Sequence, residues 1–211
     1  MGSLVSVDSF VVPTVMFKVL FVFVVLAHDR RRVLHINVTD APSAQWTAQE
    51  LMEAFPWETA PRYLLRDRDA VYGVAFSRRA QSMGMDEVKT AARSPWQNPY
   101  VERLIGTLRR ECLDHVVVLN GTHLRRLLSE YLIYYHGART HLSLEKDAPE
   151  PRPVEHLDDG RIVETPHGRR PPSLVHAPGG VRLSGLRGVP VTRKAPVGRS
   201  AVRLGLLPPG G

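Results

Sequence analysis

The first forty residues hold three apolar runs that predict three consecutive β-strands. The runs cover residues 4–10, 17–27 and 32–39 and are rich in β-branched and aromatic side chains, which favour strands. The run 17–27 is apolar almost throughout, as is typical of a strand buried on both faces. Short polar turns separate the runs, so we expect an antiparallel meander.

After these strands the chain alternates between helical and strand-like patterns. The predicted elements are a helix over 44–55, a strand over 63–65, a helix over 75–84 and a strand or extended segment over 86–91. Ser43 or Thr47 can cap the first helix, and Gly84 is a suitable stop for the second. Strands followed by alternating helices and strands predict a mixed α/β layered domain.

Two longer helices follow, and the first has one apolar face. Asn98 followed by Pro99 makes a good entrance, a capping residue and then proline at the first helical position; Ser94-Pro95 is an equally good earlier start. Apolar residues then recur at helical intervals at Val101, Leu104, Ile105, Leu108, Cys112 and Leu113. The second helix covers "HLRRLLSEYLIYYHGA" and turns its Leu and Tyr residues inward.

The chain changes character near residue 159. Gly and Pro supply 17 of the 51 residues from Arg161 onward, a share typical of disordered sequence. Nine of the 28 basic residues lie there with one of the 21 acidic residues, so residues 1–160 carry a net charge of −1 although the whole chain carries +7. We predict one domain over 1–158 and a Gly/Pro/Arg-rich disordered tail over 159–211. Such a tail suits salt-sensitive contact with phosphates.

Cysteine and histidine usage limits the setting and the chemistry. The single cysteine, Cys112, excludes an internal disulfide and a Cys-rich zinc site, and it favours a reducing, cytoplasmic setting. His136 and His141 lack a matching Cys pair, so zinc is not expected there. The apolar run 17–27 is shorter than the roughly 20 residues of a membrane-spanning helix. No membrane partner is predicted.

Acidic residues stand at three junctions of the predicted elements. Asp8 lies near the end of the first strand, Asp67 and Asp69 follow the fourth, and Glu102 lies in the first turn of a helix. Magnesium takes carboxylate oxygens, and two such ions can clamp the attacking and leaving oxygens of a phosphoryl displacement. Carboxylates that converge at a sheet edge would suit that reaction. Asn98, on the same helical face as Glu102, could orient it or hold a phosphate.

Taken singly, each acidic residue has a conservative explanation that stays open. Asp8 can cap a turn, and Arg66 and Arg68 can pair with the aspartates beside them. Glu102 can complement the dipole of its helix.

Four segments resemble, in order, the blocks of the DDE integrase/transposase catalytic core: "VSVDSF", "YLLRDRDAVYGVAF", "ARSPWQNPYVERLIGTLRRECLD" and "YYHGARTHLSL". The resemblance is strongest to the integrase-like transposases of bacterial insertion sequences and covers about residues 4–155. The family separates its second Asp from its Glu by 35 positions, as Asp67 and Glu102 are here. Its Asn-x-x-x-Glu element falls on Asn98 and Glu102.

The resemblance implies a fold, a chemistry and partners. The fold would be RNase H-like, a mixed five-stranded sheet flanked by helices. Asp8, Asp67 and Glu102 would form a catalytic triad that binds two Mg²⁺ or Mn²⁺ ions. The enzyme would nick transposon ends and join the freed 3′-hydroxyl to target DNA, acting as a homo-oligomer at the bacterial nucleoid. The family usually has Gly at the position of Asp69, so Asp69 is the second choice for the second ligand.

Arginines near these blocks are candidates for contact with DNA. They are Arg103, Arg109 and Arg110 on the helix of Glu102, and Arg139 in the fourth block. A solvated helix face explains the first three equally well.

Two alternative functions remain. Transposases of this kind generally carry an N-terminal helix-turn-helix region, for which the seven residues before Asp8 leave no room. A truncated, inactive remnant that at most binds DNA is therefore one alternative. An RNase H-like nuclease without strand transfer is the other.

Overall fold

A computed structural model describes residues 4–56, 59–152, 163–165 and 174–176, all within one unit, Met1–Val181. Five strands form one mixed sheet in the order β3-β2-β1-β4-β5. They are β1 (Leu4–Pro13), β2 (Val19–Ala27), β3 (Val33–Thr39), β4 (Tyr63–Arg66) and β5 (Asp86–Lys89). Strands β1 to β3 pair antiparallel, whereas β4 pairs parallel with both β1 and β5. The predicted meander and the mixed five-stranded sheet are confirmed.

Four helices cover the two faces of this sheet. They are α1 (Ala44–Ala54), α2 (Val74–Ser82), α3 (Pro99–Glu111) and α4 (Gly121–Gly137). Helices α3 and α4 share a core with Val22 and Val24 of β2. On the opposite face, α1 and α2 share a core with Phe23 and Val25 of the same strand. Because β2 supplies both cores, almost every residue in it is apolar.

The apolar face of α3 holds this helix against the sheet. Val101 and Leu108 are completely buried, while Cys112 and Leu113 pack partly buried at its end. Burial of one such aliphatic side chain contributes about 2 kcal/mol. Pro99 is the first residue of α3, which confirms the later of the two predicted starts.

Local capping signals are largely confirmed at α1 and α2. The Ser43 hydroxyl accepts a hydrogen bond from the Trp46 amide at 3.1 Å and caps α1. Thr47 lies inside that helix and donates its hydroxyl to the Val71 carbonyl instead. Gly84, just beyond α2, has φ of 75°, a left-handed conformation that glycine adopts without strain.

Two details of the site elements differ from the prediction. Asp8 lies in the middle of β1, because β1 continues its pairing with β2 as far as Pro13. Asn98 stands at the N-cap of α3, but its side chain makes no capping hydrogen bond. Its amide nitrogen lies 3.4 Å from the Val7 carbonyl of β1 and donates to it. The side chain is therefore engaged with the sheet, not with the helix it precedes.

The predicted disordered tail lies mostly outside the described residues. Where the structure does describe it, Val163–Thr165 and Leu174–His176 form two short antiparallel strands, β6 and β7. The sequence shows no strand period at these six positions, because three residues can pair without one. The predicted boundary between residues 158 and 159 also lies outside the described residues. No helix of the described chain has the length and hydropathy to cross a membrane.

Candidate active site

The parallel pairing of β1 and β4 brings two of the predicted carboxylates together. Ser6 of β1 stands opposite Leu65 of β4. When this register is continued by two residues, Asp8 lies beside Asp67, which directly follows the last residue of β4. Neighbouring strands lie about 4.8 Å apart, so the two side chains originate at one edge of the sheet.

Helix α3 brings the third carboxylate to the same place. Glu102 lies in its first turn, and Asn98 links that end of the helix to β1. The result is a cavity of about 270 Å³. Its lining residues are Asp8, Asp67, Arg68, Asp69, Thr90, Ala91, Ala92, Arg93, Ser94, Pro95, Asn98 and Glu102. The structure therefore brings together all three predicted triad residues, with Asp69 and Asn98 beside them.

The electrostatics of Asp8 reflect this convergence. Asp8 is 8% exposed, and burial raises the pKa of its carboxyl group from 3.8 to about 7. The charges of Asp67, Glu102 and Asp69 raise the pKa further, whereas a hydrogen bond from the Ser9 amide at 2.7 Å opposes them. A carboxyl group surrounded by like charges is poorly stabilised in its ionised form unless a cation is added.

The residues of the cavity fit a divalent cation. The four carboxylates offer hard oxygen ligands, and among the described residues no side-chain nitrogen of Lys, Arg or His lies within 4.0 Å of their oxygens. The Oδ1 atom of Asn98 is buried with no hydrogen-bond partner in the same part of the chain. Buried polar atoms seldom lack a partner, so this oxygen at the cavity wall suits a ligand.

The three carboxylates do not form a compact cluster. Their oxygens do not all lie within 4.8 Å of one another in the described structure, whereas ligands of one magnesium ion lie within about 4 Å of each other.

A second cluster of ligand-type residues lies between β3 and α1. His35, Glu50 and Glu53 are the described residues whose ligand atoms do lie within 4.8 Å of one another. Glu50 is already engaged, however: its oxygens accept hydrogen bonds from the Asn37 amide at 2.9 and 3.0 Å, and one lies 2.5 Å from Nε2 of His35. We interpret this cluster as a structural link between strand and helix.

The predicted DNA-contact arginines lie outside the cavity lining. Arg139 pairs with Glu111 at 2.8 Å, and Tyr131 donates its hydroxyl to the same carboxylate at 2.5 Å. Arg109 lies close to the Val11 carbonyl, at 3.4 Å. Arg103 and Arg110 are exposed on α3. The guanidinium group of Arg139 is thus occupied within the fold.

Sequence reasoning missed two arginines that do line the cavity, Arg68 and Arg93. The conservative interpretation, pairing of Arg66 and Arg68 with the neighbouring aspartates, is wrong for both. Arg66 forms its ion pair with Glu87 at 2.7 Å, and Nε of Arg68 donates to the Thr90 carbonyl at 2.9 Å. Both partners belong to the β5 region, which adjoins β4 only after folding.

Tyr72 is another residue that the sequence did not single out. It is 4% exposed, and its hydroxyl has no hydrogen-bond partner in the described chain. Burial raises the pKa of this hydroxyl, and the charges of Asp8 and Asp67 add to the effect. Its ring packs against Phe76 at a centroid distance of 4.9 Å.

One family model and several solved structures are similar to this chain. Residues 83–149 match a family model described as an integrase core domain. This segment contains Asn98 and Glu102, whereas Asp8 and Asp67 lie before it. No curated protein matches the chain.

Solved structures with the same fold include integrases and a transposase. The HTLV-2 integrase catalytic core domain in complex with magnesium has a TM-score of 0.55 at 10% identity, covering 70% of this chain and 93% of that one. The simian T-cell lymphotropic virus intasome has a TM-score of 0.59 at 14% identity, covering 84% and 68%. The Mos1 mariner transposase catalytic domain has a TM-score of 0.52 at 15% identity, covering 62% and 70%. The family match over 83–149 and this shared fold confirm the resemblance of the chain to the catalytic domains of integrases and transposases.

Proposed function

We propose that this protein cuts and joins DNA strands in a metal-dependent reaction of the integrase and transposase type. The observation that carries the proposal is the cavity in which Asp8, Asp67 and Glu102 meet from three separate elements. We assign the chemistry to residues 1–158 and propose that the tail over 159–211 assists through non-specific contact with phosphates. The partners would be transposon ends and target DNA at the bacterial nucleoid.

Each side chain of the site has a distinct role in this proposal. Asp8, Asp67 and Glu102 would hold two Mg²⁺ or Mn²⁺ ions, with Asp69 as the alternative to Asp67. Such ions activate an attacking oxygen and stabilise the charge that develops on the phosphate. Asn98 is a positioning residue, because its hydrogen bond to Val7 fixes the start of α3 and hence the place of Glu102.

The structural neighbours support both the metal and the assembly. The HTLV-2 integrase core was solved with magnesium and in a dimeric form. The simian viral protein was solved as an intasome. By analogy we propose that this chain uses a divalent cation and acts as a homo-oligomer on DNA.

The test compares wild-type protein with Glu102→Gln on a short DNA duplex in the presence of Mn²⁺ or Mg²⁺. We expect nicked and joined products with the wild type and a loss of at least about a hundredfold in the variant, the scale seen when one group that stabilises transition-state charge is removed. Glu130→Gln is a matched control, since Glu130 is exposed on α4 and pairs with Arg126, its one salt-bridge partner among the described residues. Equal rates for wild type and Glu102→Gln would refute the assignment.

The reaction products distinguish the proposed function from the two alternative functions. Nicking without joined product, even with a free 3′-hydroxyl end supplied, would indicate an RNase H-like nuclease. Binding of DNA without cleavage by the wild type would indicate an inactive remnant.

A further inference from the structure

The cavity has an acidic wall, formed by its four carboxylates, and a basic wall, formed by Arg68 and Arg93. Within the described residues, no guanidinium nitrogen of either arginine comes within 4.0 Å of a carboxylate oxygen. The two arginines therefore share the cavity with the carboxylates without forming an ion pair with them.

The guanidinium group of Arg68 is held in place by the fold. Its Nε donates to the Thr90 carbonyl at 2.9 Å. Thr90 is itself fixed, because it is buried and its amide donates to the Arg66 carbonyl at 2.9 Å. The two terminal nitrogens of Arg68 make no hydrogen bond within the described chain. They form a fork with free donors on a rigid support, the geometry that binds phosphate oxygens well.

The loop that carries Arg93 is also held in one conformation. Arg93 has φ of 57°, a left-handed backbone that is strained for a non-glycine residue. Side chains around it fix the loop: Gln97 accepts from the Ala91 amide at 2.6 Å, and Ser94 donates to the Ala92 carbonyl at 3.3 Å. Backbone strain of this kind persists only where the surroundings impose it, and it is common at ligand sites.

A ligand that interacts with both walls must carry negative charge to bind the arginines, and it must also bind the cations that the carboxylates would hold. A phosphodiester does both, since its free oxygens can accept from a guanidinium group and ligate a metal. We propose that Arg68, assisted by Arg93, binds a backbone phosphate of the DNA strand that lies against the carboxylates and so positions this strand in the cavity. The inference rests on the proposed function, and it gives Arg68 a positioning role that neither spacing nor resemblance indicates.

The test measures the salt dependence of DNA binding, without added divalent metal, for wild type, Arg68→Gln, Arg68→Lys and Arg78→Gln. Each neutralised phosphate contributes about 0.9 to the slope of log affinity against log salt. Arg68→Gln should therefore reduce the slope by about 1. Arg78→Gln, at an exposed position of α2 outside the cavity, should leave it unchanged. Arg68→Lys, which keeps the charge but not the fork, should restore the slope.

A second measurement locates the phosphate. Neutral methylphosphonate linkages are introduced one at a time along the bound strand. In the wild type, one position should weaken binding most, and in Arg68→Gln that same substitution should have no effect. Equal melting temperatures of the variants would show that the fold is intact.

The outcomes distinguish the inference from the function on which it rests. If Arg68→Gln matches Arg78→Gln in slope while Glu102→Gln abolishes cleavage, the phosphate assignment is wrong and the proposed function stands. If Arg68→Gln lowers the slope but the wild type shows no metal-dependent cleavage, the basic wall binds DNA and the proposed chemistry fails. If the wild type binds no DNA, both are overturned.

Discussion

Replacing Asp8 by Asn removes a buried carboxyl group of the cavity and keeps the size of the side chain. The structure makes this substitution informative, because the side chain is 8% exposed and faces three other carboxylates. Burial and these charges raise the pKa of Asp8 from 3.8 to about 7. In the folded, metal-free protein, ionisation of the Asp8 carboxyl group at neutral pH therefore costs free energy.

The sign and size of the effect follow from proton linkage. Below pH 3.8, Asp8 is protonated in the folded and the unfolded chain, and it adds no pH dependence. As the pH rises from there to about 7, the folded protein retains a proton that the unfolded chain has released, so stability falls by about 1.4 kcal/mol per pH unit. The total loss is about 4 kcal/mol, complete above pH 7. Asp8→Asn cannot titrate and escapes this loss.

The assay is urea unfolding in EDTA at constant ionic strength between pH 4 and pH 8.5. Other groups titrate as well, so the informative quantity is the free energy of unfolding of Asp8→Asn minus that of the wild type. We expect this difference to rise by about 4 kcal/mol across the range. Asp40→Asn, at an exposed aspartate outside the cavity, should give a flat difference. A difference for Asp8→Asn that is flat within about 1 kcal/mol would refute the reasoning.

Metal should reverse the effect in the wild type. Mg²⁺ binds ionised carboxylates, and a ligand that binds only the folded state stabilises it. Saturating Mg²⁺ at pH 8 should therefore recover stability in the wild type and recover less in Asp8→Asn. Equal recovery in both proteins would show that the cation binds elsewhere.

Two further predictions concern residues outside the cavity. Arg139→Ala should lower the free energy of unfolding by about 2 kcal/mol, because it leaves Glu111 without its 2.8 Å partner, and should leave the salt slope of DNA binding unchanged. Unchanged stability with a reduced slope would contradict this and indicate contact with DNA. Cys112 should react with iodoacetamide at pH 8 at least about a hundredfold more slowly than an ordinary thiol, because burial raises its pKa to about 11. A reaction at the normal rate in the absence of urea would show that the thiol is exposed.

The fold was predictable wherever burial gives the sequence a period. Strand β2 supplies side chains to both cores, and its unbroken apolar run indicates this directly. Helix α3 packs one face on the sheet, so its apolar residues recur at helical intervals. The extension of β1 to Pro13 has a weaker signal, since Val11 is exposed and Val12 buried although both are apolar, and proline is rare inside a strand.

The acidic half of the site was predictable for a different reason. Asp67 and Glu102 keep the spacing of a known family, and Asp8 occupies a recognisable block. Asn98 was also identified from the resemblance to that family, but its hydrogen bond to Val7 was not predicted. Its side chain reaches the Val7 carbonyl, 91 positions away, and such a partner is specified by tertiary packing and not by the local capping preference of Asn.

The basic wall of the cavity was not predicted from the sequence, and Arg68 shows why. Arg68 stands between two aspartates in the chain, and local reasoning pairs it with them. The parallel pairing of β4 with β5 instead brings Thr90 within reach and turns the guanidinium group towards that carbonyl. The side chain thus stays separate from the carboxylates it neighbours in sequence, and both remain available to a ligand. Counting charges along the chain would treat these groups as neutralising one another, although in the described part of the fold they line one cavity without forming an ion pair.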